Sequence, residues 1–435
     1  MINFIYDHKK ILVEKRQLYK DKDKSFVVEY QLQKLNIQWQ YILKKFIFYS
    51  DYQKKNNLPI QIKSLQDFFN FPVISKKEII ENYEQIFIDS KAKKNTFTGG
   101  TSGPVTKFPT GFIDSKNNFI NQIFLRESYD INANDKCLYI WGHSHKFGQN
   151  FFIKTYKEFI KNFKNFYFNR IQFSAYDLTE KNIKIIFNHL KSLCPKYILT
   201  YASTFSSILN YLNIKNLKYE NSIKIILTSD NLTIEDFNLV SKIFPRSELI
   251  NEFGMAETGV VGYSDKENFY IIKTLWDSFL IQSKKKSLIL TDLNKRIFPL
   301  IRYSPDDLIE CDETISILNF KISGKFRPSF KIRIKGEYKE ISSIIFDHIF
   351  KFDKFIRATQ YYWNEKKLKL FIFFTSDLEV NSDYLMNKLK NYFGNLPENI
   401  ILFVIKDTFK TKAGKFIYHL KHEDLTTFNI DLHSF

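Results

Sequence analysis

The sequence predicts an α/β protein in two parts: a large N-terminal domain over residues 1–322, with mostly parallel sheet flanked by helices, and a small α+β domain over residues 323–435. Two observations predict the first part. Apolar runs at 196–200, 223–227 and 248–253 end in polar residues or glycine, and strands that release polar residues at one end mark the carboxyl edge of a parallel sheet. Helical periodicity lies between them: Phe205, Ile208, Leu209 and Leu212 fall on one face after Ser203, which can cap the helix. A third observation predicts the second part. After Asp307 the pattern changes to short alternating runs at 314–320 and 329–335, apolar runs at 368–374 and 400–405, and a helical stretch at 381–393.

Composition bounds the function classes. A chain of 435 residues with 44% apolar content can build a substantial core and more than one domain. The abundance of Phe and Tyr beside scarce Gly and Pro reads as coding bias. Cys137, Cys194 and Cys311 are far apart and form no paired motif, which indicates neither a disulfide framework nor a zinc knuckle and suits a reducing cytoplasm. The first 20 residues alternate apolar and charged types without a cleavage pattern, and no run is long enough to span a bilayer, so a cytoplasmic protein without a signal peptide, soluble or at most peripheral to a membrane, is expected. The net charge of +18 is spread along the chain, with short groups such as Lys91-Ala92-Lys93-Lys94 and Lys284-Lys285-Lys286. That distribution favours a solvated basic surface that attracts anionic small molecules over a dedicated nucleic-acid patch.

Thr98-Gly99-Gly100-Thr101-Ser102-Gly103-Pro104-Val105-Thr106-Lys107 gathers three of the chain's 13 glycines with hydroxyl residues and a terminal lysine. Glycine lets backbone N–H groups approach an anion, hydroxyls add donors, and the lysine offsets charge, so the segment has the composition of a phosphate loop. Pro104 stands where a Walker loop needs lysine, and the spacing is not that of a dinucleotide fingerprint. Taken alone, the segment also reads as an ordinary surface turn. Downstream, Asp114 and Ser115 can cap a helix with Phe119, Ile120, Ile123 and Phe124 on one face.

Three further segments follow in order: Asn251-Glu252-Phe253-Gly254-Met255-Ala256-Glu257-Thr258-Gly259, Phe298-Pro299-Leu300-Ile301-Arg302-Tyr303-Ser304-Pro305-Asp306-Asp307, and Lys410-Thr411-Lys412-Ala413-Gly414-Lys415-Phe416. Phe71-Pro72-Val73-Ile74-Ser75-Lys76-Lys77 precedes the glycine segment, and Leu199-Thr200-Tyr201-Ala202-Ser203 and Ile225-Ile226-Leu227-Thr228-Ser229-Asp230 lie between. Together they resemble the adenylate-forming superfamily of acyl- and aryl-CoA synthetases. Within it they are similar to the phenylacetate-CoA ligase-like branch, which includes proteins of capsular polysaccharide biosynthesis.

The resemblance implies ATP-dependent activation of a carboxylic acid to an acyl-adenylate with release of pyrophosphate, followed by transfer to CoA or to an amine or hydroxyl acceptor. It implies a mobile C-terminal lid. It assigns Thr98, Gly99, Gly100, Thr101, Ser102, Gly103 and Lys107 to the ATP phosphates, and Ser229, Asp230, Phe253, Gly254, Asp307 and Lys325 to adenine and ribose. Glu257 matches the ligand of Mg2+, and Lys415 matches the lysine that reaches the α-phosphate and the attacking carboxylate. Trp141, His143, Tyr201 and Ser203 fall where relatives place the acyl pocket; His143 with His145 also has a metal-like spacing, but no further ligand types complete it. Arg302 and Tyr303 precede Asp307 as in the family. Without that context Phe253 reads as core, Glu257 as a solvated loop acid and Asp307 as a turn residue.

The sequence also departs from the family. Ala256 stands where a hydroxyl residue precedes the glutamate, Asp306 replaces a glycine, and Gly324-Lys325 replaces a Gly-Arg pair. These departures and the charge of +18 keep a non-catalytic nucleotide- or polyanion-binding relative as the competing reading. Neither the acid nor the acceptor is legible, and self-association as a homodimer stays open.

Overall fold

The computed structural model describes residues 2–87, 94–97, 107–141, 165, 169–175, 178–228, 232, 234–294, 296–325, 329–342, 346, 349–350, 356, 358–376, 380–409, 417 and 419–428. By contacts the chain divides into one unit of Met1–Thr98 with Lys107–Lys325 and another of Gly99–Thr106 with Phe326–Phe435.

The first unit opens with helices α1 (Ile2–Leu18), α2 (Lys24–Lys45), α3 (Ile47–Lys55) and α4 (Leu65–Phe69), then strand β1 (Ile74–Ser75) and helices α5 (Lys76–Glu81) and α6 (Tyr83–Ile86). Helix starts follow local chemistry. The Asp23 carboxylate accepts from Phe26 N, and Ser75 and Glu78 cap α5 reciprocally. In α2, Val27, Gln31, Leu35, Gln38, Trp39 and Ile42 are buried at helical spacing. The Gln31 amide docks that face by donating to the carbonyls of Trp276 and Phe279.

Next come hairpin strands β2 (Lys94–Phe97) and β3 (Lys107–Thr110), helix α7 (Phe112–Glu127), β4 (Cys137–Trp141), β5 (Arg170–Ser174), α8 (Glu180–Leu193), β6 (Tyr197–Tyr201), α9 (Ala202–Ile214), β7 (Ile223–Thr228), α10 (Ile234–Ile243) and β8 (Ser247–Met255). The unit finishes with β9 (Gly259–Ser264), β10 (Ile271–Thr274), β11 (Phe279–Lys284), β12 (Ser287–Asp292), β13 (Tyr303–Ser304), β14 (Asp307–Glu310) and β15 (Asn319–Lys325). A 13-stranded sheet runs β1-β13-β12-β14-β15-β10-β9-β8-β7-β6-β4-β5, with β11 on β12.

The stretch β5-β4-β6-β7-β8 is parallel throughout. Its strands read as continuous apolar runs because both faces are covered. Leu138, Ile140, Ile198, Ile225 and Leu227 face a core shared with Ile183, Ile186 and Phe187 of α8 and Phe205, Ile208 and Leu209 of α9. The alternate residues Cys137, Tyr197, Leu199, Ile226 and Ile250 pack with Leu125 of α7 in a second core. From β8 onward the neighbours are antiparallel as far as β13.

Two helix starts differ from the sequence reading. The helix expected after Asp114 and Ser115 begins at Phe112; Asp114 acts from inside its first turn, accepting from Gly111 N at 2.7 Å, and the Ser115 hydroxyl donates back to Gly111 O. The helix expected after Ser203 begins at Ala202, with Tyr201 before it and no side-chain cap. The run 314–320 becomes strand only from Asn319, because Ser316 adopts a left-handed φ of 54° that breaks the extended chain.

The second unit holds a ribbon of β16 (Ser329–Ile334) with β17 (Glu337–Ser342), then β18 (Ala358–Asn364), β19 (Lys369–Thr375), α11 (Ser382–Phe393), β20 (Ile400–Ile405), β21 (His419–Leu420) and α12 (His422–Thr427). Its four-stranded sheet has the order β20-β19-β18-β21, and Leu385 and Leu389 of α11 pack with Ile372 and Phe374 of β19 and Ile332 of β16. Asn381 caps α11 and Gly394 ends it at φ 72°, the left-handed C-terminal position that suits glycine. The expected helix at 381–393 and strands at 368–374 and 400–405 are all present.

Arg302 ties the N-terminal segment of the first unit to its sheet. The fully buried guanidinium donates to Gln282 Oε1 at 2.7 Å and to Phe71 O at 3.0 Å, lies over the rings of Phe68 and Phe69, and has no carboxylate among these partners. Burial lowers its pKa to about 10. Its own carbonyl accepts from Ile74 N, next to β1. Arg302→Met is expected to destabilise folding by about 3 kcal/mol, because two buried acceptors lose a charged donor. Arg302→Lys should recover only part of that, since an ammonium lacks the planar fork. Urea unfolding of both variants checks this, and a loss under about 1 kcal/mol for methionine would show that the clamp is not a stability element.

Candidate active site

The carboxyl edge of the parallel stretch collects the residues singled out above. Trp141 ends β4, Tyr201 ends β6, and these strands are neighbours with Ile140 opposite Thr200. The Trp141 and Tyr201 rings lie 4.5 Å apart at 37°, both half-buried. Tyr139 stacks on Trp141 at 5.3 Å, and the Arg170 guanidinium covers Tyr139 at 4.7 Å. Two of the four expected acyl-pocket residues therefore form one aromatic wall.

Strand β8 carries the second motif past the end of β7, where Thr228 pairs with Glu252. Phe253 is half-buried, edge-on to Phe320 at 5.5 Å. The ladder with β9 shifts register between Phe253 and Gly254, and that bulge brings β9 close. A Cβ at position 254 would fall 2.8 Å from Gly259 O, so the close approach requires glycine there.

Ala256, Glu257 and Thr258 form the turn between β8 and β9. Three side chains fix it. Asn118 of α7 accepts from Val260 N at 2.8 Å, and Arg296 donates to Thr258 O at 2.8 Å. Tyr303 of β13 donates its phenol hydrogen to Glu257 Oε1 at 3.0 Å. Arg296 is held in turn by an ion pair with Asp292, a fully buried carboxylate whose pKa is raised by desolvation against the pull of Arg296.

Tyr303 joins the second and third motifs. It is fully buried on the sheet, and desolvation, then the Glu257 carboxylate, then Asp306 and Asp307 hold its phenol far above the usual range. It therefore stays protonated and able to donate. Asp307 begins β14, nearly buried, beside Asp306 at φ 68°. That left-handed conformation is the one glycine favours and aspartate tolerates.

Below Phe253, Glu252 is buried, accepts from the Tyr263 phenol at 3.0 Å and faces Arg126 of α7 at 4.0 Å. Desolvation raises its carboxyl pKa, opposed by Arg126 and by the Tyr263 hydrogen bond. Glu252, Asn118, Arg126 and Arg296 were not singled out from the sequence. The contacts of Asn118 with Val260, Arg126 with Glu252 and Arg296 with Thr258 join residues far apart in the chain, and no local pattern signals them.

Thr98, Gly99, Gly100, Thr101, Ser102, Gly103, His143, Ser229, Asp230 and Lys415 lie outside the described residues, as do the side chains of Lys107, Ser203 and Lys325. Backbone pairing frames the glycine segment all the same: Phe97 of β2 is opposite Lys107 of β3, so residues 98–106 connect two antiparallel strands.

The protein called CapK from Staphylococcus aureus is 22% identical over 344 residues, covering 73% of this chain and 75% of that protein. No family model matches the sequence. A 2-hydroxyisobutyryl-CoA ligase solved in the postadenylation state with an acyl-AMP ligand superimposes with TM-score 0.62 at 13% identity, covering 95% of this chain and 94% of that one. The same ligase with 2-HIB-AMP and CoA in its thioester-forming state gives 0.56. The O-succinylbenzoate coenzyme A synthetase of Bacillus subtilis in complex with AMP gives 0.52 at 12% identity, over 76% and 69% of the two chains. The chain has the adenylate-forming CoA ligase fold.

The turn geometry generates a paired test. Gly259 has φ 77°, and a Cβ there would lie 2.1 Å from Asn118 Oδ1; Gly336 has φ 78° with no atom within 4 Å of its Cβ position. Gly336→Ala is expected to lose only the left-handed strain, about 1 kcal/mol, whereas Gly259→Ala should lose about 2 kcal/mol or more by also displacing Asn118. Equal losses in denaturant unfolding would mean that Asn118 does not hold the turn.

Proposed function

We propose that the protein is an AMP-forming acid ligase. A carboxylate oxygen of the substrate attacks the α-phosphorus of ATP, the bond to the β-phosphate oxygen breaks, and pyrophosphate leaves. The acyl carbon of the resulting adenylate is then attacked by an acceptor, and AMP leaves. The observation that best supports this reading is the Tyr303 to Glu257 hydrogen bond, with Asp307 close by. It unites two motifs from different strands, in a fold whose solved counterparts include ligases bound to acyl-AMP.

In this reading, residues 1–322 bind ATP and the acid and residues 323–435 are the lid. Thr98, Gly99, Gly100, Thr101, Ser102, Gly103 and Lys107 hold phosphates from the β2–β3 connection; Phe253, Gly254, Ser229, Asp230, Asp307 and Lys325 hold adenine and ribose. Asp307 can accept from both ribose hydroxyls, and the face of Phe253 away from Phe320 suits a purine. Trp141, Tyr201, His143 and Ser203 line the acyl pocket. Lys415 supplies an ammonium to the charge that develops between carboxylate and α-phosphate.

The donor set fits magnesium. Among the described residues no group of three or more His, Cys, Asp or Glu side chains is arranged to hold a metal. Magnesium needs few protein ligands when phosphate oxygens and water supply the rest, and the half-buried Glu257 carboxylate would be such a ligand. The ion would neutralise phosphate charge there. What the chain itself supplies is orientation: Tyr303 holds Oε1 of Glu257, and Arg296 and Asn118 fix the backbone on either side.

CoA is the first acceptor to consider. The likeness to CapK supports a second one, an amine or hydroxyl in surface polysaccharide assembly. No helix among the described residues is long and apolar enough to cross a membrane, and a cytoplasmic location goes with a substrate of ATP.

Acid-dependent pyrophosphate release from ATP and Mg2+, across aromatic, fatty, sugar and amino acids with and without CoA, tests the reading. Release with one acid class supports it, and CoA-dependent turnover separates a thioester ligase from one with another acceptor. Lys415→Ala is expected to lower adenylation by roughly several hundredfold while ATP binding stays nearly intact. Wild-type rates in that variant would remove Lys415 from the reaction, and absence of ATP binding by the wild-type protein would remove the ligase reading.

A further inference from the structure

Gln360 lies on β18 of the second unit with no exposed surface. Its side-chain amide is fully engaged at one place. Nε2 donates to Phe409 O at 2.8 Å and to Ile417 O at 2.5 Å, and Oε1 accepts from Phe409 N at 2.8 Å. Phe409 and Ile417 are also joined directly, Ile417 N donating to Phe409 O at 3.1 Å. These two residues bracket positions 410–416, the seven residues that contain Ala413, Gly414 and Lys415.

Packing supports the same junction. The Phe409 ring lies edge-on to Phe373 of β19 at 5.1 Å and 4.9 Å from Phe428, while Ile417 is buried with Leu420 and Leu425. Just beyond Ile417 the chain enters β21, which pairs in parallel with β18 at Tyr361 and Tyr362, the residues after Gln360.

We propose that Gln360 is a positioning residue for the ligase reaction: it pins both ends of the Lys415 segment to the rigid sheet, so that the ammonium is presented from a fixed base. This rests on the reading of Lys415 given above. The physical argument is one of donors. Two adjacent carbonyls and one N–H converge on a buried point, and a primary amide, with two hydrogens and an acceptor oxygen, can serve all three. A side chain without those functions leaves buried backbone groups without partners, and the segment can relieve them only by moving away. A catalytic group displaced by about 1 Å can lose on the order of 100-fold in rate.

Asn399 provides an internal control. Its buried amide is engaged in the same way, donating to Lys331 O and Leu368 O and accepting from Arg333 N, but it joins the β16 ribbon to the start of β19 and not the Lys415 segment. Loss of Asn399 weakens the unit without touching residues 409–417.

The test uses the full chain. In Gln360→Met, hydrogen exchange is expected to speed up by roughly tenfold or more in peptides covering Phe409 and Ile417, with β19 still protected. Adenylation kcat with the acid panel should fall roughly 10- to 100-fold, while KM for ATP stays within about twofold. Asn399→Leu should be destabilised to a similar degree with kcat unchanged.

Gln360→Glu gives a second handle if the methionine variant folds poorly. A protonated carboxyl keeps one donor and the acceptor for Phe409 N, whereas the ionised form faces two carbonyl oxygens. Its activity relative to wild type should therefore be higher at about pH 6 than at about pH 8, since burial keeps the acid protonated toward neutrality. Unchanged exchange at Phe409 and Ile417 would overturn the proposal, and so would wild-type kcat in Gln360→Met where Lys415→Ala is inactive. If Lys415→Ala itself turned over normally, the reading of Lys415 would fall, and the exchange measurement would still decide whether Gln360 anchors the segment.

Discussion

Burial of both faces of the β5-β4-β6-β7-β8 stretch is the constraint on which the rest of the structure depends. Leu138, Ile140, Ile225 and Leu227 on one face and Cys137, Leu199 and Ile226 on the other have no room for polar groups. Each fully buried Leu, Ile or Phe contributes about 1.5–3 kcal/mol, so the interior of the strands is given over to packing. Polar chemistry is confined to strand ends and to the turns beyond them. Trp141, Tyr201, Thr228 and Glu252 mark that edge on four adjacent strands, and β8 alone runs past it to carry Phe253, Gly254 and the Glu257 turn outward.

At that edge the chain faces an electrostatic problem, because several carboxylates sit in partly dry surroundings. Three of these acids are each given a specific donor. Glu257 has the Tyr303 phenol, Glu252 has Tyr263 with Arg126 beyond, and Asp292 has Arg296. Burial raises the pKa of Glu252 and of Asp292, and the neighbouring guanidinium opposes the shift in both. Arg126 and Asn118 belong to one helix, α7, which follows the β2–β3 hairpin directly. One rigid element therefore links the glycine segment's frame to both the Glu257 turn and the strand below Phe253.

Much of this was legible in the sequence, and the reasons are particular. The runs at 196–200, 223–227 and 248–253 became β6, β7 and β8 with ends shifted by one or two residues, because a strand buried on both faces needs an unbroken apolar run. The pairing of Trp141 with Tyr201 and of Glu257 with Tyr303 gathers residues that motif order had already named. Helix starts were less legible. Asp114 is a good capping residue that the chain uses from inside the first turn of α7, and α9 begins at Ala202, one residue before Ser203. The antiparallel half of the sheet was not read from the sequence, and left-handed residues such as Lys285, Lys286 and Ser316 interrupt its extended runs. Asn118, Arg126 and Gln360 were invisible for another reason: each acts on backbone or side chains distant in sequence.

The departures from the family pattern carry less weight in three dimensions than in one. Asp306 occupies the left-handed conformation directly, so Asp307 still begins β14 and the register with β15 runs through Asp307 opposite Lys325. Ala256 removes a hydroxyl beside Glu257, and Thr258 does not replace it, because its hydroxyl is engaged by Gly259 O. Yet the position of the Glu257 turn is set by Asn118, Arg296 and Tyr303, none of which depends on residue 256. The substitution therefore removes one hydroxyl from the turn and leaves the presentation of the carboxylate intact. A missing neutral donor is a loss on the scale of one hydrogen bond, about 1 kcal/mol. The geometry of the turn survives that loss.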